Sequence, residues 1–347
     1  MSRTHDIFLL VSMMFIIVGG VSSAYSHAQL DYWNSILHKT PIPASIQYFM
    51  NIDVKNPFIV TIDTNELSSG LLDPNLVANR KDIADCIFIR KPKRYRKKSY
   101  SKVIKEDDSS NNSVCKNILE SIVNENVADF FLEMDLIDPR KAYMDLHLDR
   151  VAPMSGGFIP RSIANSIPIS SQKFPDILKH FSVQPNSVAA NMMRESIEDC
   201  ETPSMENEKR YCATSLESMI DFAISSLETN DLKAISTRVL TKNSGSLRQR
   251  YSIISSEVLE NIDSVVCHAS SYPYALFLCH MIDNTKVYTV SLVGGDGIKI
   301  EATAICHEDT ANWSPEHIAF KILNVKPGDD PICHFLPEDT IVWTPMV

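Results

Sequence analysis

Residues 288–307 read YTVSLVGGDGIKIEATAICH, and this stretch determines the expected fold of the C-terminal part of the chain. Apolar residues alternate with polar ones on both sides of the glycine-rich segment Gly294–Gly297: Tyr288, Val290, Leu292, Ile298, Ile300, Ala302 and Ala304. Alternation of period two is typical of a β-strand with one buried face, and Gly-Gly-Asp-Gly is typical of a turn. The sequence therefore predicts an antiparallel hairpin here.

The hairpin sequence ends in one of four Cys-His dipeptides, which are separated by 10, 25 and 25 residues: Cys267-His268, Cys279-His280, Cys306-His307 and Cys333-His334. Successive side chains of a strand point to opposite faces. Cys306 continues the apolar face of its strand, so His307 must point to the other face. Cys279 and His280 follow the same pattern after Ala275 and Phe277. We therefore expect the cysteines to face inward and the imidazoles to face a common polar site.

Four convergent imidazoles without a thiolate form a candidate metal site, and this donor set favours copper(II). The alternative is that the histidines are hydrogen-bonded strand residues and that only the disulfides matter. Of the other histidines, His317 lies between the third and fourth dipeptides and is the best candidate for a fifth ligand. His147 and His180 show no partner pattern, so surface or core roles are expected for them.

The N-terminus has the layout of a secretory signal peptide. Arg3 precedes a twelve-residue apolar run, Ile7–Val18, and cleavage is expected after Ala24 or Ala28. No later stretch is apolar enough to span a membrane, so the mature chain is expected in the secretory pathway. Eight cysteines in an oxidising compartment indicate disulfides. We predict that Cys200 pairs with Cys212, because the short loop between them contains Pro203.

The charge of the chain and its polar linker exclude some functions and suggest others. The 347 residues carry a net charge of −10, which argues against a nucleic-acid-binding protein. Residues 90–113 form a basic run followed by a polar one, typical of an exposed linker. Contact with an anionic wall polymer or a nucleic acid, or cleavage by proteases, is the alternative role of this run. Asn111 begins a glycosylation sequon within it.

Helices are expected in the first half of the region that follows the linker. Phe174, Ile177, Leu178 and Phe181 share one helical face, and Thr214 is expected to cap a helix in the motif Thr-Ser-Leu-Glu. The lead segment, residues 28–50, contains Pro41 and Pro43 and is expected to lack regular structure. The sequence thus predicts an α+β domain with antiparallel strands in its last ~80 residues.

The four Cys-His dipeptides and their spacing resemble the signature of the plant BURP domain. Four further segments are similar to parts of that domain: Phe130–Glu133, Cys200–Pro203, Tyr211–Met219 and His334–Trp343. The resemblance covers about residues 129–347. The motif Tyr32–Ser35, with the two prolines that follow, resembles the lead segment of the seed-type subgroup called unknown seed proteins.

With the signal peptide predicted above, this resemblance divides the chain into a signal peptide at 1–24, a variable region at 25–128 and a BURP domain at 129–347. It implies copper ligation by His268, His280, His307 and His334. The six domain cysteines would form disulfides, which leaves Cys86 and Cys115 to each other. It also implies a secreted plant protein, in the cell wall or the seed storage vacuole, that acts in seed development, the wall or stress responses. Cell-wall polysaccharide or a peptide substrate would be its partner.

Some members of the family are autocatalytic, copper-dependent cyclases that crosslink a Tyr or Trp side chain within a core peptide of the same chain. The stretch Gln29–Trp33 resembles such a core only loosely, so cyclase activity is the alternative to a copper-binding protein without catalysis. A metal-free, disulfide-stabilised structural domain is the second alternative.

Overall fold

The computed structural model describes residues 27–52, 130–137, 143–150, 152, 156–204, 208–241, 247–259, 263–282 and 284–346. The predicted signal peptide at 1–24, the linker at 90–113, the Cys86–Cys115 pair and the Asn111 sequon lie outside these residues. The described part is an α+β structure, as predicted.

The helices are α1 at 27–36, α2 (Ala44–Asn51), α3 (Met134–Ile137), α4 (Arg161–Ala164), α5 (Phe174–His180), α6 (Val188–Glu201), α7 (Leu216–Leu227) and α8 (Ile318–Leu323). The strands are β1 (Phe130–Leu132), β2 (Tyr143–His147), β3 (Glu208–Ala213), β4 (Leu232–Ile235), β5 (Arg238–Val239), β6 (Arg248–Leu259), β7 (Val265–Ser270), β8 (Leu276–Ile282), β9 (Thr285–Gly294), β10 (Lys299–His307), β11 (Ile332–Phe335) and β12 (Thr340–Pro345). None of the helices among the described residues has the length and apolar character needed to cross a bilayer.

The strands form two antiparallel sheets. The seven-stranded sheet has the order β1-β11-β10-β9-β6-β2, and β5 also pairs with β10. The five-stranded sheet has the order β3-β8-β7-β12-β4. Strands from the first half of the domain therefore complete both sheets, in addition to the C-terminal strands that the sequence predicts.

The predicted hairpin is present as β9 and β10. Val290 pairs with Ala302, and the Gly294 N–H donates to the Ile298 carbonyl at 2.8 Å. Gly297 has φ +84°, a left-handed conformation that a side chain disfavours. The apolar face of β10 is buried through to Cys306, as the alternation predicts.

The lead segment corrects one expectation, because it is helical on both sides of its prolines. Pro41 and Pro43 occupy only the connection between α1 and α2, and Pro43 immediately precedes α2, where its missing N–H costs nothing. The large side chains of the lead segment enter the core beneath the five-stranded sheet: Trp33, Leu37, Ile46 and Phe49. The lead segment is thus part of the domain's core.

The helices of the domain largely follow the predicted faces. Phe174, Ile177, Leu178 and Phe181 are all buried. The predicted cap of α7 is wrong by one residue, since Ser215 and not Thr214 precedes the helix. The Ser215 hydroxyl accepts from the Ser218 N–H, and the Ser218 hydroxyl accepts from the Ser215 N–H, which satisfies both backbone donors.

Candidate metal centre

Two disulfides join neighbouring strands directly across the ladder. Cys267 lies opposite Cys279 in the pairing of β7 with β8, and their Cα atoms are 3.9 Å apart. Cys306 lies opposite Cys333 in the pairing of β10 with β11, at 4.0 Å. All four cysteines are fully buried, so each disulfide belongs to the core on its side of the sheet. The third disulfide joins Cys200 to Cys212, as predicted.

The histidine next to each of these cysteines projects from the opposite face of its sheet. His268 lies opposite Leu278 and His280 lies opposite Val266, so the two imidazoles are diagonal neighbours. His307 and His334 stand in the same diagonal relation on β10 and β11. Each cross-strand disulfide therefore has a histidine pair on the reverse side of the same two strands.

The two histidine pairs face each other between the sheets. A small apolar cluster beside them has members from both sheets: Val266, Val287, Ile305, Leu336 and Val342. Val266 lies opposite His280 on the five-stranded sheet, and Ile305 lies opposite His334 on the seven-stranded sheet. The packing of these residues brings the four histidines, the histidine cluster, into one partly buried region.

Distances within each pair are short. The Nε2 atoms of His268 and His280 are 3.3 Å apart. The rings of His307 and His334 are stacked, with centroids 5.7 Å apart. Two nitrogens that share one ion at about 2.0 Å lie about 2.8 Å apart when adjacent in a square plane and about 3.3 Å apart in a tetrahedron. The first pair is therefore spaced as two ligands of one ion.

The histidine cluster disfavours protonation. Burial, followed by the neighbouring imidazoles His280, His334 and His307, holds the pKa of His268 well below its usual value. Burial and the same kind of neighbour hold the pKa of His307 well below its usual value as well. Burial lowers the pKa of His334 to about 4. These three imidazoles are neutral at physiological pH, which is the form that binds a metal.

Three of the four imidazoles have a partner at Nδ1. The Nδ1 of His280 lies 3.4 Å from Glu208 Oε1, that of His307 lies 3.5 Å from Thr285 Oγ1, and that of His334 lies 3.4 Å from the Phe335 carbonyl. Partners at Nδ1 leave Nε2 as the nitrogen available within the cluster.

His317 borders the cluster but is committed to another contact. Its Nδ1 accepts the Ala319 N–H at 3.3 Å and so caps α8, which leaves only Nε2 for a metal. Its ring contacts Trp313 with centroids 4.8 Å apart, and Trp313 in turn contacts His307 at 5.2 Å. Its role as a fifth ligand stays a prediction. His147 lies on β2, where its ring contacts Arg248 of β6, and His180 is exposed on α5. Neither is on a strand that carries the histidine cluster.

The donor set fits copper chemically, although it is not assembled as a finished site. Among the described residues, no group of three or more His, Cys, Asp or Glu side chains is arranged as it stands to hold a metal ion. All six described cysteines are in disulfides, so nitrogen is the donor that the cluster offers. The neutral imidazoles and the spacing of His268 and His280 match what a nitrogen-bound ion requires. One ion bound to all four histidines would require the two pairs to move closer together.

The fold and this cluster define a class: a disulfide-linked, two-sheet α+β domain with four partly buried histidines on the facing sides of its sheets. The BURP domain family model matches residues 129–345, more than half of the chain, and the chain belongs to this family.

Several plant proteins are similar to this chain. BURP domain-containing protein 3 of Oryza sativa subsp. japonica is 48% identical over 224 residues, which are 63% of this chain and 51% of that protein. BURP domain protein RD22 of Arabidopsis thaliana is 44% identical over 220 residues, 63% of this chain and 56% of that protein. Protein RAFTIN 1B of Triticum aestivum is 33% identical over 202 residues, 58% and 55% of the two chains. The matched region spans little more than half the length of these relatives.

Proposed function

We propose that this plant BURP-domain protein is secreted and binds copper(II) through His268, His280, His307 and His334. One observation carries the proposal: the Nε2 atoms of His268 and His280 lie 3.3 Å apart, in a partly buried region that the other two histidines share. The signal-peptide pattern and the three disulfides support secretion.

The chain's own residues would perform three tasks in such a site. The imidazoles would donate Nε2 lone pairs, and their Nδ1 partners would hold the rings in orientation. The apolar cluster around Val266 and Ile305 would exclude water from the ion. Bound copper would supply a redox-active Lewis acid, and the partly buried setting would limit which molecules reach it.

Copper stoichiometry in a folded His307→Ala variant tests the proposal. The wild-type protein should bind one copper(II) ion, and His307→Ala should bind with a sharply reduced affinity. His180→Ala is the matched control, because His180 is exposed on α5 and should leave binding unchanged. Circular dichroism establishes that each variant is folded. Equal affinity in wild type and folded His307→Ala would remove His307 from the site.

The cyclase alternative requires a substrate segment at the histidine cluster, and the candidate core does not lie there. Gln29 and Trp33 are buried in the core on the cysteine side of the five-stranded sheet, whereas His268 and His280 project from its other face. In the folded protein this segment is therefore separated from the cluster by the sheet. The intact mass of the copper-incubated protein distinguishes the two functions, since each crosslink removes two hydrogen atoms.

Seed development, the cell wall and stress responses are the proposed settings, with the wall or the seed storage vacuole as the proposed location. A wall polysaccharide or a peptide is the proposed partner. Fractionation of plant tissue into apoplastic and vacuolar protein, followed by immunodetection, separates the two locations. The metal-free structural alternative predicts that wild type binds no copper in the stoichiometry measurement.

A further inference from the structure

We propose that Glu208 is a positioning residue that fixes the tautomer and orientation of His280, so that its Nε2 lone pair points into the histidine cluster. The inference rests on the proposed copper function, because the direction of the His280 lone pair matters for metal binding. Its structural basis is the contact between the two side chains.

Glu208 begins β3, the edge strand of the five-stranded sheet. β3 pairs with β8 so that Arg210 lies opposite His280 and Glu208 lies opposite Ile282. Glu208 and His280 are therefore diagonal neighbours, and Oε1 of the carboxylate lies 3.4 Å from Nδ1 of the imidazole. The Glu208 side chain is only 3% exposed, so water competes little for this contact.

The contact selects one tautomer of His280. A carboxylate only accepts hydrogen bonds, so a bare Nδ1 lone pair facing it would be repelled. The favourable arrangement places the proton on Nδ1 and leaves the lone pair on Nε2. That Nε2 is the atom 3.3 Å from His268 Nε2. Metal-binding histidines commonly donate their other N–H to a carboxylate in this way.

Arg210 supports the charge on Glu208. Its Nη1 lies 3.7 Å from Glu208 Oε1, and its side chain is 11% exposed. Its Nη2 also donates to the Asp199 carbonyl at 2.7 Å, which ties the guanidinium to the end of α6. A buried carboxylate is costly without such a partner, so the arginine stabilises Glu208 in its position beside His280.

The carboxylate makes His280 different from two other members of the cluster. The Nδ1 partners of His307 and His334 are a threonine hydroxyl and a backbone carbonyl, both uncharged. A carboxylate that accepts from Nδ1–H makes an imidazole a better metal ligand at Nε2. We therefore expect His280 to be a stronger donor than His307 or His334.

Two measurements on Glu208→Gln and Glu208→Ala test the inference. The first is the ¹⁵N chemical shifts of the His280 ring in the metal-free, full-length protein, which report the tautomer without any copper. The second is copper affinity. Wild type should show the Nδ1–H tautomer. Glu208→Ala should shift His280 toward Nε2–H and lower copper affinity by about 10- to 100-fold. Glu208→Gln, which keeps an acceptor oxygen without the charge, should fall between the two.

Glu301→Gln is the matched control, because Glu301 is also a strand carboxylate paired with an arginine, Arg238 at 3.1 Å, on the other sheet. It should change neither readout. An unchanged His280 tautomer in folded Glu208→Ala would overturn the inference, as would a copper affinity within about three-fold of wild type. If wild type binds no copper, the proposed function fails, while the tautomer measurement still decides the role of Glu208. If Glu208→Ala fails to fold, the isosteric Glu208→Gln decides: wild-type values in both readouts would overturn the inference.

Discussion

Trp33 of the lead segment packs against Trp343 of the last strand, with ring centroids 5.7 Å apart, and both rings are almost fully buried. The Trp33 indole N–H donates to the Thr40 carbonyl at 3.0 Å, and the Thr40 hydroxyl donates to the Leu232 carbonyl. The lead segment and the last strand thus meet in the core, and the region that the family model matches, 129–345, does not include the lead segment.

Trp33→Ala should destabilise the whole domain. Removal of a buried tryptophan leaves a cavity and costs about 3–5 kcal/mol. Chemical denaturation of the purified full-length protein measures the change in the free energy of unfolding. Ile254→Ala, a change at an exposed side chain of β6, should cost no more than about 0.5 kcal/mol. Equal, small effects for both variants would show that the lead segment is not part of the cooperative core.

The metal-free protein should lose stability as the pH falls from about 6.5 to about 4. In the unfolded chain, histidine takes up a proton near pH 6.5. In the folded chain, the pKa of His334 is lowered to about 4, and those of His268 and His307 also lie well below normal. The unfolded state therefore binds more protons in this window. Each of these histidines lowers the free energy of unfolding by about 1.4 kcal/mol per pH unit.

Denaturation midpoints measured between about pH 6.5 and about pH 4 show how steeply stability falls with pH. His334→Gln should show a shallower slope, because one titrating group is gone. A variant with the wild-type slope would contradict the assignment of His334 to this effect.

The double variant Cys306→Ala, Cys333→Ala should lose about 3 kcal/mol of stability, because the cross-link restricts the unfolded chain. A copper stoichiometry like that of wild type is expected while the variant stays folded, since the sulfur atoms face away from the histidines. Cys200→Ala, Cys212→Ala is the comparison, because this disulfide joins α6 to β3 and lies behind neither histidine pair. Loss of copper in the folded first variant alone would show that the cross-strand bond holds the ligands in place.

Limited trypsin digestion of the native protein should cut first between Arg90 and Lys105, where nine basic residues stand together without an acid. Because the lead segment packs into the core, the two fragments should remain associated and elute together from a sizing column. Native mass spectrometry should detect the two fragments as one complex, and denaturing mass spectrometry should detect them separately. Early cleavage elsewhere would contradict the linker prediction.

Local patterns of sequence predicted the hairpin, the helix faces and the opposite directions of Cys306 and His307, because these follow from strand and helix periodicity. The helices of the lead segment were missed because Pro41 and Pro43 suggested irregular structure, while burial against Trp343 depends on a distant strand. Glu208 was missed for the same kind of reason. Its contact with His280 arises from the register of β3 on β8, and no short motif marks it.

The placement of the two cross-strand disulfides has a chemical consequence. Cys267–Cys279 and Cys306–Cys333 fix the spacing of the strands that carry the histidines, yet their sulfur atoms lie on the far side of each sheet. A metal held by the imidazoles would therefore be insulated from sulfur by a full layer of backbone. Each Cys-His dipeptide thus supplies one half of a disulfide and one candidate metal ligand. Because successive side chains of a strand point to opposite faces, redox chemistry at the metal would be separated from the disulfide.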